Sequence, residues 1–232
     1  MTDYSRYAVY YAPRPGRFSE AAAAWLGRDC ETGASVSQPT PEGLSEDLAT
    51  LTTKPRKYGF HGTIRAPFRP ADGQDRASIS AAVADLAARL SPARCDGLAV
   101  SNPYGFGVAL TPAGDEVQIL ELAARVVEAT DLLRAPLSPE EIARRVAAEQ
   151  LTPRQRELYD RWGYPMVMDQ LCFQLTLSNR IGPELEGKLE AAIARHFEGL
   201  LPAPFVIDDL CLFGEEAATG QFRLLSRNPL AR

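Results

Sequence analysis

Apolar residues recur at helical spacing over 75–90, where Ile79, Val83, Leu86 and Leu90 define one face and predict an amphipathic helix. Helices are also predicted over 18–26, with four consecutive alanines before Trp25, and over 42–51, 115–128 and 183–197. Between 137 and 162 two further starts are written in the caps. Ser138-Pro139-Glu140-Glu141 and Thr152-Pro153-Arg154-Gln155 each place a capping hydroxyl three residues before a Glu or Gln, with Pro at the first helical position. Strand signals, rich in aromatic and β-branched residues and bounded by turn formers, fall at 7–12, 98–100, 106–110, 205–213 and 221–226. Segments 30–41, 102–105 and 215–220 read as loop, turn and hairpin loop. Strands and helices mixed in this way predict an α+β fold, taken as one bilobal domain over 1–232.

Two more strand-like segments carry polar residues on one face. In 57–68, His61 and Thr63 project together with Arg65 next in line, while Phe60, Gly62 and Ile64 face the other way. In 172–178, Gln174, Thr176 and Ser178 share a face and Phe173, Leu175 and Leu177 form an apolar one. Two such strands side by side converge four polar tips on one small anion.

These residues resemble the 2H phosphoesterase superfamily (LigT-like), defined by two His-x-Thr/Ser motifs on paired strands. They are most similar to its phosphonate-metabolism-associated, DUF1045-like branch, whose first motif Tyr-Gly-Phe-His-Ala-Thr-Leu-Lys-Ala-Pro-Phe matches Tyr58 to Phe68. The resemblance extends to Tyr7–Pro13, Trp25–Asp29 and Phe222–Leu225. It implies two antiparallel-rich sheets flanking a central cleft with helices outside, no cofactor and no metal. It also implies hydrolysis of a small cyclic phosphodiester, a ribose cyclic phosphate of phosphonate breakdown with or without a further phosphate. His61 would be acid or base, with Thr63 and Thr176 holding the phosphate. The second His of the family is replaced by Gln174, whose amide donates and accepts hydrogen bonds but transfers no proton. Losing one acid–base group typically costs ~10²–10⁴ in rate.

Further binding candidates follow from position and chemistry. Arg65 and Arg180 offer charge-assisted hydrogen bonds to phosphate, Ser178 a hydroxyl, and Tyr10, Tyr58 and Tyr104 aromatic surface for a sugar or base. Arg56 and Lys57 read as surface charge or a contact to a second phosphate. His196 ends a predicted helix, where a cation complements the dipole. Arg144, Arg145, Arg154, Arg156 and Arg161 interleave with Glu140, Glu141, Glu149, Glu157 and Asp160, the pattern of a solvated, ion-paired helical face. Asp208 and Asp209, adjacent on a strand, point to opposite faces and make a poor metal pair.

The net charge of −5 argues against a general nucleic-acid or anionic-membrane binder. Four scattered cysteines and two histidines offer no zinc spacing and read as reduced thiols. The N-terminus lacks a signal-peptide pattern and no apolar run is long enough to span a bilayer, so the expected location is the cytoplasm. The expected partner is a small phosphorylated substrate, and nothing in the pattern points to a protein partner. Two readings stay open: a 2H-type cyclic phosphodiesterase, and a catalytically impaired binding protein for a phosphorylated ligand on the same scaffold. Gln174 as a native residue and Gln174 as a substitution introduced to trap a ligand both fit the chain.

Overall fold

Side chains along β1 (Tyr4–Tyr11) alternate between two environments, and the rest of the fold follows from that division. Tyr7, Val9 and Tyr11 enter the main core; Ala8 and Tyr10 pack with Cys211, Phe213 and Phe222 in a smaller cluster on the other side. The computed structural model describes residues 3–148 and 150–231, the side chains of 144–148 excepted. After β1 come α1 (Arg17–Leu26), the short α2 (Leu48–Leu51) and α3 (Thr53–Tyr58), β2 (Gly62–Phe68) and α4 (Arg76–Ala87). The middle of the chain forms β3 (Ala93–Cys95), β4 (Gly97–Ser101), β5 (Ala109–Ala113), α5 (Val117–Ala129), α6 (Pro139–Ala148) and α7 (Pro153–Trp162). It ends with β6 (Leu175–Thr176), α8 (Pro183–His196), β7 (Phe205–Ile207), β8 (Asp209–Glu216) and β9 (Phe222–Pro229).

Seven strands form one sheet in the order β4-β5-β6-β2-β1-β8-β9, and β3 with β7 makes a separate two-stranded ribbon; every pairing is antiparallel. The α+β class with antiparallel sheets is therefore observed. The sheets are unequal, and both motif strands lie in the large one. Helices α1, α4, α5 and α8 send Trp25, Ile79, Val126 and Leu189 into the same core as Val9, Ile64 and Leu175. The opposite face of the sheet is left for the site. No helix among the described residues is long and apolar enough to cross a membrane.

The caps act as the pattern predicts. Thr152 Oγ1 accepts the Gln155 N–H at 3.2 Å and Gln155 Oε1 the Thr152 N–H at 3.1 Å; Ser138 and Glu141 exchange the equivalent bonds at 3.2 and 2.8 Å. Three elements differ from expectation. The helix expected over 42–51 starts at Leu48, and the basic run from Lys54 to Lys57 is itself helical, Pro55 being tolerated in the first turn of α3. The strand expected over 205–213 breaks at Asp208, where Asp208 and Asp209 both reach Arg14, at 3.4 and 2.7 Å. The second motif strand shrinks to Leu175–Thr176.

The arginine-rich α7 face is ion-paired, with Arg154 to Asp169 at 2.6 Å and Arg156 to Asp160 at 2.9 Å. Arg144, Arg145 and Glu149 lie outside the described side chains. His196 is structural, its Nε2 2.9 Å from the Ala21 carbonyl and its ring beside Trp25.

Candidate active site

The two motif segments meet at one paired position, Gly62 opposite Leu175, the only residue pair that joins β2 to β6 among the described residues. In an antiparallel ladder that register sets His61 across from Thr176 and Thr63 across from Gln174, all four on one side of the sheet. The reverse side is apolar and closed: Ile64, Phe173, Leu175 and Leu177 are buried. The Phe173 ring lies against Gly62 where a Cβ would stand, so the close approach of the strands depends on that glycine. From the helix layer, Trp25 Nε1 donates to the Leu177 carbonyl at 2.9 Å and fixes the exit of the second segment.

The two halves repeat one contact. Thr63 Oγ1 is 3.3 Å from His61 Nε2, and Gln174 Nε2 donates to Thr176 Oγ1 at 3.0 Å. His61 Nδ1 lies 2.9 Å from the Gly59 carbonyl, which only accepts, so Nδ1 carries the proton. Nε2 is then the bare nitrogen, and the Thr63 hydroxyl donates to it. Burial, only partly opposed by the Gly59 bond, pushes the imidazole down to about 4, so it is neutral at pH 7. Tyr10 stacks on the ring at 4.0 Å between centroids and 29° between planes. Gln174 Oε1, though buried, has no hydrogen-bond partner.

These residues face a cleft of about 880 Å³. His61, Thr63, Thr176, Ser178, Tyr10, Tyr58 and Arg180 line it; Gln174 sits behind Thr176 and is not part of the lining. Ser178 is held in the backbone network, its hydroxyl accepting the Val108 N–H at 2.9 Å and donating to the Asn179 carbonyl at 2.8 Å. Two expected ligands are elsewhere. Tyr104 is outside the lining, in the exposed turn beside Phe106. Arg65 is 1% exposed beneath the cleft, donating to the Trp162 carbonyl at 3.3 Å and lying 3.5 Å from Asp131. The cause is a bulge in β2: Thr63 pairs with Tyr10, but Arg65 pairs with Val9, the very next residue of β1. The extra residue breaks the alternation, so Arg65 does not follow Thr63 into the cleft lining. Beneath the cleft, burial, and then the neighbouring Arg134, lower its pKa to about 10 against the pull of Asp131.

Sequence reasoning missed Arg6, Lys54, Arg69 and Arg134, which together with Arg180 give the cleft five cationic side chains against one acid, Glu141. Their signal is long-range, since they come from five different parts of the chain. Arg56 and Lys57 are occupied elsewhere, Arg56 by the carbonyls of Leu26 and Ala49 and Lys57 by Glu215 at 3.2 Å. Glu215 is destabilised as an anion by burial, but Arg6, Lys57 and Ser5 outweigh that and hold its pKa down to about 2.

The chain belongs to the family described as "Protein of unknown function (DUF1045)", whose model matches residues 63–223. It is similar to the ribose 1,5-bisphosphate phosphokinase PhnN of Laribacter hongkongensis (strain HLHK9), 36% identical over 220 residues, covering 94% of this chain and 50% of that protein. It is also similar to the protein of the same name from Janthinobacterium sp. (strain Marseille), 32% identical over 233 residues, covering 98% of this chain and 51% of that one. The chain thus spans about half the length of these relatives. Among solved structures, a phosphoesterase matches 98% of this chain and 99% of its own at 12% identity and a TM-score of 0.39. E. coli LigT complexed with NADP+ matches 100% of both chains with the same identity and TM-score.

Proposed function

We propose that this protein hydrolyses a small cyclic phosphodiester of a phosphorylated ribose, using His61 as the proton-transfer group. The observation that carries the reading is the Gly62–Leu175 register, which brings His61, Thr63 and Thr176 together at the floor of a cation-lined cleft. The bare Nε2 of a neutral His61 takes a proton from water as the water oxygen bonds to phosphorus and the ring P–O bond breaks. The leaving alkoxide takes up a proton, from His61 or from solvent, and a phosphomonoester remains. On binding, the Thr63 hydroxyl turns from Nε2 to a non-bridging oxygen and leaves Nε2 to the water, the Thr176 hydroxyl donates to a non-bridging oxygen as well, and Tyr10 holds the imidazole plane by stacking.

The ribose part of the proposal is supported by the relatives' name, ribose 1,5-bisphosphate phosphokinase, which puts a matching segment on one polypeptide with an activity on ribose 1,5-bisphosphate. The kinase itself is not assigned to this chain. Gly182 to Lys188 has phosphate-loop glycine spacing, but Leu189 stands where Ser or Thr is required, and the stretch is mostly α8 rather than a loop. Gln174 favours a second reading, a binding protein that has lost turnover. Assaying ribose 1,2-cyclic phosphate and 2′,3′-cyclic nucleotides with wild type and His61→Ala separates the two. The proposal expects turnover that His61→Ala lowers by roughly 10²–10⁴ while phosphate affinity changes less than about tenfold. Phosphate binding without turnover anywhere in the set would establish the binding reading.

A further inference from the structure

We propose that Gln174 is a positioning residue, whose amide N–H engages Thr176 Oγ1 as an acceptor and so turns the Thr176 hydroxyl proton into the cleft as a standing donor to phosphate; this rests on the phosphoesterase reading above. A hydroxyl has one proton and two lone pairs, so an oxygen that accepts from one neighbour keeps its proton for another. Gln174 Nε2 donates to Thr176 Oγ1 at 3.0 Å, and the Thr176 proton has no acceptor among the described residues. Thr176 lines the cleft and Gln174 does not, so that proton is left for a ligand. The other half of the site is arranged the opposite way. There the Thr63 hydroxyl is committed to the bare Nε2 of His61 at 3.3 Å, and it reaches a phosphate only by giving that contact up.

The difference comes from having an amide in place of an imidazole. A neutral imidazole protonated at Nδ1 presents a lone pair to the hydroxyl and takes its proton, whereas an amide N–H presents only a proton. Reversing the Gln174 amide would set Oε1 against Thr176 and bury the NH2 group in its place. An unpaired buried N–H is rarer than an under-satisfied carbonyl, so the observed orientation is the favoured one. The fold holds the pair in place: Thr176 is paired with Ala109 of β5, Leu175 with both Gly62 and Leu110, and Phe173 and Leu175 are fully buried on either side of Gln174. The arrangement costs stability, because Gln174 Oε1 is buried without a hydrogen-bond partner. A polar group that weakens the fold and stays out of the cleft lining points to the one contact it does make.

The test is a double-mutant cycle read by calorimetric titration of inorganic phosphate, with melting temperature measured beside it. Gln174→Met keeps the length of the side chain and removes the amide. It should weaken phosphate binding by about three- to tenfold. The melting temperature should stay equal or rise, since the unpartnered acceptor is removed and cleft water can donate to Thr176 Oγ1. The loss of affinity should persist beside Thr176→Ser, which keeps a hydroxyl, and vanish beside Thr176→Val, which has none. Equal losses in the Ser and Val backgrounds, or no loss at all, overturn the proposal. So does a gain, because the hydroxyl would then have been turned toward the amide. A lower melting temperature in both Gln174→Met and Gln174→Leu would show the amide holding the fold and overturns it as well. The cycle needs no turnover. Coupling without hydrolysis of any cyclic ester supports the role of Gln174 and overturns the phosphoesterase reading, whereas a wild type that binds no phosphate overturns both.

Discussion

His61 is kept neutral by its surroundings, and that has a consequence for stability as well as for chemistry. An unfolded imidazole takes up a proton below about 6.5, whereas the folded one resists until about 4. Between those values the unfolded state binds more protons, so stability falls as pH drops through the window, by roughly 3 kcal/mol across all of it. Denaturant unfolding at pH 7 and pH 4.5 should therefore show a larger loss for wild type than for His61→Gln; equal losses would mean that His61 titrates normally. The partner position makes a second prediction. Gln174 contacts Thr176 as His61 contacts Thr63, at 3.0 and 3.3 Å, so an imidazole placed there meets the same hydroxyl. Gln174→His should raise hydrolysis of a cyclic phosphodiester by about 10²–10⁴ and introduce a bell-shaped pH profile. No gain in a folded variant that still binds phosphate would favour the binding protein. Asp131→Asn should be costly for another reason. Arg65 is 1% exposed and has Asp131 as its acidic neighbour, and removing one member of a buried pair costs about 3 kcal/mol or more, measurable as a fall in melting temperature.

At the level of elements, the strand crossing at Gly62 is set by the size of one ring. A methyl group at Gly62 would run into Phe173, so Gly62→Ala should destabilise the protein by about 1–3 kcal/mol through overpacking. Adding Phe173→Leu should recover part of that loss; a double-mutant cycle with no coupling would show that the ring does not set the crossing. Much of this level was legible in the chain. The capping boxes at Ser138 and Thr152 are local, as is the apolar set Phe173, Leu175 and Leu177, so spacing alone locates them. The β2 bulge was not legible, because it exists only in relation to β1: Arg65 reads as a cleft residue until its pairing with Val9 is known. The same holds for the three-residue strand Ala93–Cys95, too short to carry a period and defined by its partner Phe205–Ile207, which the pattern reads only as the start of one strand over 205–213. His61, Thr63 and Thr176 were legible as cleft residues, since their polar tips interrupt otherwise apolar strands. Of the cations around them Arg180 was legible; Arg6, Lys54, Arg69 and Arg134 were not, because no local pattern links them to the motif strands.

At the scale of the whole molecule, the large sheet is two half-sheets, β4-β5-β6 and β2-β1-β8-β9, joined at the Gly62–Leu175 pair. Within the halves the ladders have more paired positions, seven between β8 and β9, five between β4 and β5 and two between β5 and β6. The join is the weakest ladder in the sheet, and it lies directly under His61, Thr63 and Thr176. An anion held by groups from both halves would therefore bridge the join and add to its stability. The cleft's surplus of cations draws anions there even though the molecule as a whole carries a charge of −5. Inorganic phosphate is then expected to slow amide exchange in segments 61–64 and 174–178 and to leave β8 and β9 almost unchanged, since neither strand contributes a residue to the cleft lining. At a hundredfold excess over its dissociation constant the ligand stabilises the native state by about 2.7 kcal/mol, which sets the ceiling on the added protection. The effect should weaken with rising ionic strength at constant phosphate, as attraction between an anion and partly exposed cations is screened. Hydrogen exchange followed by mass spectrometry, with and without phosphate at two salt concentrations, measures both. Protection spread evenly over the chain, or confined to one half-sheet, would show that the anion does not bridge the two motif strands.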